Sequence, residues 1–282
     1  MPFGKSKYKN LMLLGKWVRH LFIIFFIIFT VMPIIWMIMT SFKDPITMVA
    51  KPPAILFKPS LEHYKGLFSK GNVIFKTLNN SVIISIFTAF FSVIISSLCS
   101  IPFARMKFRG SSFLMTIIML IRALPPIVTI IPLFIIFSNL RLVDTRTGLV
   151  IIYTALNLPF SIWMLRSFIK GVPVQIEESA MIDGCSQVSG FFRVTLPIAA
   201  PGFAACALLM FTLAWNEFMF ALVFTSINAK TIPVSILESI VEHKNYWGSM
   251  AALGTVVVTP ILLVSLFLQK HLVSGLAAGS GK

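Results

Sequence analysis

Acidic side chains are scarce in this chain: nine Asp and Glu stand against twenty-four Lys and Arg in 282 residues, and charged residues of both signs make up only 12%. A soluble domain carries about a quarter of its residues as charge, so this composition excludes one. Cysteine and histidine are equally thin. Cys99, Cys185 and Cys206 fall in or beside apolar runs and offer no disulfide framework, and His20, His63, His243 and His271 share no ligand spacing, so no metal is expected. The segment Gly275-Leu276-Ala277-Ala278-Gly279-Ser280-Gly281-Lys282 imitates a phosphate loop but has Leu276 where glycine is required, so neither ATP nor another cofactor is expected on this chain. A nucleophile elbow and a zinc-protease helix motif are missing too, which leaves nothing for an enzyme to work with.

Apolar surface is what the chain has in excess. It is 57% hydrophobic with mean hydropathy +0.92, and six runs are long enough to cross a hydrocarbon core of about 30 Å: 18–40, 81–103, 113–137, 149–168, 199–225 and 250–268. An all-α polytopic membrane protein of six transmembrane helices is therefore predicted. The first run lacks a small-x-small cleavage site after it and is expected to remain as an anchor. Lys and Arg set the orientation. Thirteen lie on the side of the N-terminus, mostly in short segments (Arg105, Lys107 and Arg109; Arg166, Lys170 and Arg193), while ten lie opposite, six of them spread over the long 41–80 loop. Short loops weigh most, so both termini are expected in the cytoplasm. Residues 1–17 are then a basic cytoplasmic leader, 18–268 the membrane domain with an outer loop at 41–80 and a cytoplasmic loop at 169–198, and 269–282 a cytoplasmic tail. The excess of positive charge suits anionic lipid headgroups of the bilayer, and no aromatic-interleaved basic groove points to nucleic acid.

The 169–198 loop is the most informative stretch. Pro173 can open a helix, near whose positive end Glu177 and Glu178 fall, and Gly184 can take the left-handed conformation that stops it. Ser186 suits the N-cap of a second short helix through Phe191 and Phe192 to Val194, which Pro197 is expected to close before the next span. A rigid helix-turn-helix knob on the membrane surface results.

Within the spans the polar residues are few. Ser85, Ala89, Ser92, Ser96 and Ser100 step by three or four along the second run and permit close helix contact. Arg122 lies nine residues into the third run, about 14 Å deep, where a charge costs at least about 2.5 kcal/mol and faces an interior or a cavity. Pro125, Pro126 and Pro132 follow it and are expected to break the helix. Trp215, Asn216 and Glu217 sit in the fifth run, with Glu217 the obvious partner for Arg122; Tyr153 and Asn157 share a face of the fourth. These six residues are the candidate translocation pathway, and hydroxyl, amide and aromatic groups of this kind fit an uncharged polyhydroxyl solute; interhelical hydrogen bonding is the other reading of Tyr153 and Asn157, and a structural hold by neighbouring carbonyls that of Arg122.

The run Glu178-Ser179-Ala180-Met181-Ile182-Asp183-Gly184, followed after nine residues by Val194-Thr195-Leu196-Pro197, resembles the E-A-A-x-x-x-G signature of membrane permeases in binding-protein-dependent ABC importers. Ser179 stands for the first Ala of that pattern and Val194 for an Ile. Further stretches, Phe103-Ala104-Arg105-Met106-Lys107-Phe108-Arg109-Gly110, Leu124-Pro125-Pro126-Ile127, Leu142-Val143-Asp144-Thr145, Trp215-Asn216-Glu217-Phe218 and Lys230-Thr231-Ile232-Pro233-Val234, are similar to the maltose-type carbohydrate permeases. The resemblance implies a type I importer permease fold in a prokaryotic inner membrane. It also implies a second homologous permease, two copies of a cytoplasmic ABC ATPase and an extracytoplasmic solute-binding protein as partners. It assigns ATPase coupling to Glu177, Glu178, Ser179, Ala180, Asp183, Gly184, Leu196 and Pro197. A different cargo (polyamine, phosphonate or amino acid) and a stand-alone channel or ion-coupled carrier are the alternatives.

Overall fold

The structure, a computed structural model, describes residues 4–48, 50–69, 73–242 and 247–279, with side chains described over 15–48, 50–69, 73–238 and 247–266. All regular structure among the described residues is helical. In order, α1 spans Gly4–Ser41, α2 Pro45–Met48, α3 Glu62–Leu67, α4 Val73–Arg105, α5 Ser111–Arg122, α6 Pro126–Asn139 and α7 Arg146–Gly171. Then come α8 Val174–Ile182, α9 Gln187–Gly190, a π turn Phe191–Thr195, α10 Leu196–Trp215, α11 Met219–Phe224, α12 Ile232–Glu242 and α13 Trp247–Gly279.

Two compact units divide this chain: one holds α1 to α3 and α13 as far as Val256, the other α4 to α12 and α13 from Val257. In the first, α1 exposes Phe22, Phe25 and Phe29 as a surface suited to lipid tails. Its far end is tied down by polar contacts. Ser41 Oγ meets Tyr64 Oη at 2.7 Å, a His63 ring nitrogen meets the Lys43 carbonyl at 2.9 Å, and the Lys43 ammonium sits 4.5 Å over the Trp36 ring. Gly248 packs flat against His63, where a side chain would collide with the imidazole.

The second unit is built on α4, α7 and α10, which pack against one another. With 33 residues, α4 is about 50 Å long, well beyond a hydrocarbon core. Its pattern is inverted relative to a soluble helix. Ser81, Ser85, Thr88, Ala89, Ser92, Ser96 and Ser100 are buried, whereas Phe87, Phe90, Phe91 and Leu98 are exposed. Apolar surface gains nothing by leaving lipid for protein, so the helices meet along small residues that bring backbones close, which is where the stripe read from the sequence lies. Gly202 of α10 does the same for α7, since a Cβ there would stand 2.2 Å from the Phe168 ring.

The break expected in the third apolar run is present and divides it into two helices, α5 and α6, meeting at 88°; three other expectations are corrected. The break falls at Pro125 and Pro126, where Pro126 opens α6 without a lost hydrogen bond, while Pro132 stays inside α6 and breaks nothing. The fifth run also breaks, at Asn216 to Phe218, between α10 and α11. Pro197 does not close the helix before it: α9, the π turn and α10 run on from Gln187 to Trp215 as one rod. The widened turn explains this. Leu196 N–H reaches back five residues to the Phe191 carbonyl, and Pro197, lacking an N–H, then occupies the first turn of α10.

Helix bounds overrun the apolar runs as well. α4 starts at Val73 rather than at 81, because Asn80 anchors its first turns: Asn80 Nδ2 donates to the Asn228 and Lys230 carbonyls, both at 2.9 Å, and Arg146 Nε donates to Asn80 Oδ1 at 2.7 Å.

Candidate coupling loop and membrane cavity

At one end of α4 and α7 the chain forms the expected knob. Pro173 occupies the N-cap position of α8, Gly184 stops it at φ +91°, and Ser186 caps α9 by accepting the Ser189 N–H at 3.2 Å. Gly184 is required here because L-residues pay sterically for positive φ. The knob exposes three large apolar side chains, Ile182 at 86%, Val188 at 69% and Phe192 at 56%, together with polar Gln187.

The inner side is polar. Glu177 points away from solvent and receives Arg105 in a two-pronged ion pair, Nη2 to Oε1 at 2.6 Å and Nε to Oε2 at 2.8 Å, leaving 16% and 13% of the two side chains exposed. Thr195 Oγ1 donates to the same carboxylate at 2.6 Å, and Arg105 Nη2 also donates to the Val172 carbonyl at 3.0 Å. One carboxylate therefore ties together the end of α4, the start of α8 and the π turn. Ion pairs of this geometry are the strong kind, and their partial burial protects them from screening. Glu178 is exposed, Ser179 donates back to the Gln175 carbonyl at 2.8 Å, Ala180 is half-buried, and Asp183 is exposed at the end of α8. Leu196 is half-buried and Pro197 exposed.

Inside the membrane region a cavity of about 470 Å³ is lined by Arg122, Tyr153, Asn157 and Glu217, with Thr129 and Phe220. Four of the six candidate residues thus come together on one cavity. Arg122 and Glu217 make no ion pair with each other. Arg122 stacks on the Phe160 ring at 4.7 Å, while Glu217 accepts the Phe220 and Ala221 N–H groups at 3.0 and 3.2 Å and so caps α11. Local backbone donors satisfy the carboxylate, and an aromatic face takes the guanidinium. The Tyr153 hydroxyl is buried beside them, facing the Glu217 carboxylate. Trp215 and Asn216 are not on this cavity: Trp215 is buried against Phe211, and Asn216 is exposed with its amide donating to the Thr212 carbonyl.

Residues 92–277 match the family described as the inner membrane component of binding-protein-dependent transport systems. The chain belongs to this family. It is a multi-pass inner-membrane permease subunit, a transporter component and not an enzyme. The trehalose/maltose transport system permease protein MalG of Thermococcus litoralis is 36% identical over 253 residues, covering 89% of this chain and 91% of that one. The sulfoquinovosyl glycerol transport system permease protein SmoH of Agrobacterium fabrum is 32% identical over 270 residues, covering 95% and 94%. Among solved structures, a chain of a bacterial ABC transporter involved in import of the acidic polysaccharide alginate superimposes with TM-score 0.75 over 92% of this chain and 96% of that one, at 20% identity, a likeness of fold.

Sequence reasoning about this permease missed three residues that the structure brings forward. Arg105 and Thr195 were read only as parts of motifs, although an Arg at the end of one span and an acid-rich helix after another are the pairing signal. Asp144 likewise enters the sequence reading only within Leu142-Val143-Asp144-Thr145. It sits between α6 and α7 at φ 56°, and its carboxylate accepts the backbone N–H groups of Ser226, Ile227, Asn228 and Ala229 at 3.0 to 3.3 Å. Partial burial, the largest single influence, raises its pKa, but the four amides together outweigh burial and hold the carboxyl well below the usual carboxylate range.

Proposed function

We propose that this permease forms half of the translocation pathway of an importer for a sugar, oligosaccharide or polyol, and that it takes its drive from a cytoplasmic ATPase docked on the α8–α9 knob. The observation that carries the coupling reading is the knob's division into two faces. Ile182, Val188 and Phe192 point outward, free for a partner, while Glu177 points inward and is locked to Arg105. A push on the apolar face is passed directly into α4 and, through the π turn, into α10. Glu178, exposed beside the apolar face, is placed to meet a basic residue of the ATPase, and the knob side of the membrane is the cytoplasm.

The carbohydrate reading rests on the cargo named for the relatives and on the chemistry of the cavity. Arg122, Asn157, Glu217 and the Tyr153 hydroxyl offer donors and acceptors in a space of about 470 Å³, suited to hydroxyl-rich solutes. A second homologous permease closes the other half of the pathway, and an extracytoplasmic binding protein delivers the solute. Co-purification from the native membrane, followed by mass spectrometry of the solute on the binding protein, tests this. A sugar or polyol on a protein that stimulates ATP hydrolysis by the complex is expected; a polyamine or amino acid overturns the cargo assignment, and absence of an ATPase overturns the coupling.

A further inference from the structure

Beside the knob lies a cavity of about 930 Å³, bounded by the turn between α4 and α5, the last turn of α7 and one side of α8. Four cations line it, Arg105, Lys107, Arg166 and Lys170, against two carboxylates, Glu177 and Glu178. Arg105 and Glu177 neutralise each other. Of the remaining cations, Arg166 is oriented by its Nε donating to the Phe103 carbonyl at 3.1 Å, and none of Lys107, Arg166 and Lys170 has an acidic partner among the described residues. Three positive groups therefore converge on one opening, with Glu178 alone to offset them. The rim on the α5 side is apolar and exposed: Met106 at 58%, Phe108 at 37% and Phe113 at 69%.

We propose that this cavity is a binding site for the phosphate headgroup of an anionic membrane lipid. Its depth fits. Phe113 starts the apolar run of α5, so the cations of the α4–α5 turn and of the end of α7 lie at the level where headgroup phosphates sit. The size fits as well, because about 930 Å³ is far more than a lone anion fills and accommodates a phosphodiester with its glycerol, while Phe108 and Phe113 offer apolar surface to the first acyl carbons. A lipid held there bridges α4–α5 to α7–α8, so it fastens the knob beside the Arg105–Glu177 pair, which lines the same cavity. Phosphate is the chemistry recognised, and soluble phosphate compounds are the other source of it.

Native mass spectrometry of the full-length permease in its purified assembly, exchanged into detergent with phosphatidylglycerol or phosphatidylcholine, distinguishes the cases without reference to uptake. The Lys107→Gln/Lys170→Gln double variant is compared with Lys16→Gln/Arg19→Gln, which removes the same charge from α1. Retention of phosphatidylglycerol should fall roughly tenfold or more in the first variant, remain in the second, and return in Lys107→Arg/Lys170→Arg, with phosphatidylcholine indifferent throughout. Equal retention by the two charge-removal variants overturns the site. Displacement of phosphatidylglycerol by inorganic phosphate at matched concentration overturns the lipid as occupant and assigns the cavity to soluble phosphates.

Discussion

Arg105 and Glu177, 72 positions apart, close a two-pronged ion pair at 2.6 and 2.8 Å that fixes the first helix of the knob to the end of α4. The pair makes α8 continuous with the body of its unit. At its other end the same α4 is held by Asn80 and Arg146, so under the proposed coupling a displaced knob would act on a rod anchored at both ends.

Removing one member of that pair leaves a half-buried charge without its partner, a loss of about 1.5–3 kcal/mol for a charged hydrogen bond. Glu177→Gln is expected to lower solute uptake at least tenfold while ATP hydrolysis by the assembly continues, because docking survives and transmission does not. Parallel assays of uptake and ATPase in proteoliposomes check this. Equal loss of both activities would mean that Glu177 serves docking.

Gly184 at φ +91° meets no neighbour where a Cβ would stand, so a side chain there suffers from backbone strain alone. Gly184→Val should add about 1–2 kcal/mol or more of strain to the turn and abolish solute-stimulated ATP hydrolysis, with the protein still accumulating in the membrane. Stimulation at the normal level would count against docking through the turn.

The Asp144 carboxylate is held ionised by the amides of 226–229, so its folded pKa lies below its unfolded value. The stabilisation is present above the unfolded pKa of about 3.9 and is lost as pH falls through the lower folded value. Asp144→Asn should therefore lower the unfolding free energy at pH 7 by about 1–2 kcal/mol, discounted for partial solvent exposure, and the difference from the wild type should stay constant from pH 7 to pH 5. Thermal unfolding of the purified assembly across that range checks it, and a difference that varied with pH there would contradict the assignment.

Arg122 faces the cavity and is held by an aromatic ring, a contact worth about 1 kcal/mol. Arg122→Leu should reduce uptake several-fold with yield of the assembled complex nearly unchanged. Quantitative co-purification beside transport assays makes the comparison, and parallel loss of both would make Arg122 a structural residue.

Local chemistry was legible in the sequence, and distant pairing was not. Proline, glycine and serine at 173, 184 and 186 act on their own neighbours, so the knob could be read from composition and spacing. The apolar runs likewise follow from the need to satisfy each backbone group inside lipid. Pro197 misled because its missing N–H was weighed against an ordinary helix, whereas the π turn before it shifts the pairing by one residue. Glu217 was the candidate partner for Arg122 because both are charges at depth, but the Phe220 and Ala221 amides take its carboxylate and the Phe160 ring takes the guanidinium. The Arg105–Glu177 pair spans 72 positions and leaves only a span-end Arg and an acid-rich helix as its signal, while the cradle around Asp144 joins residues more than 80 positions apart through backbone amides that carry no side-chain pattern.

Site-directed crosslinking in intact cells tests the account most directly. In a background with Cys99, Cys185 and Cys206 replaced by serine, single cysteines at Ile182 and Val188 are expected to crosslink to a cytoplasmic ATPase, while one at Phe25 on the lipid-facing surface of α1 does not. No crosslink from either knob position, in cells that still import the solute, would contradict the claim that this knob receives the ATPase.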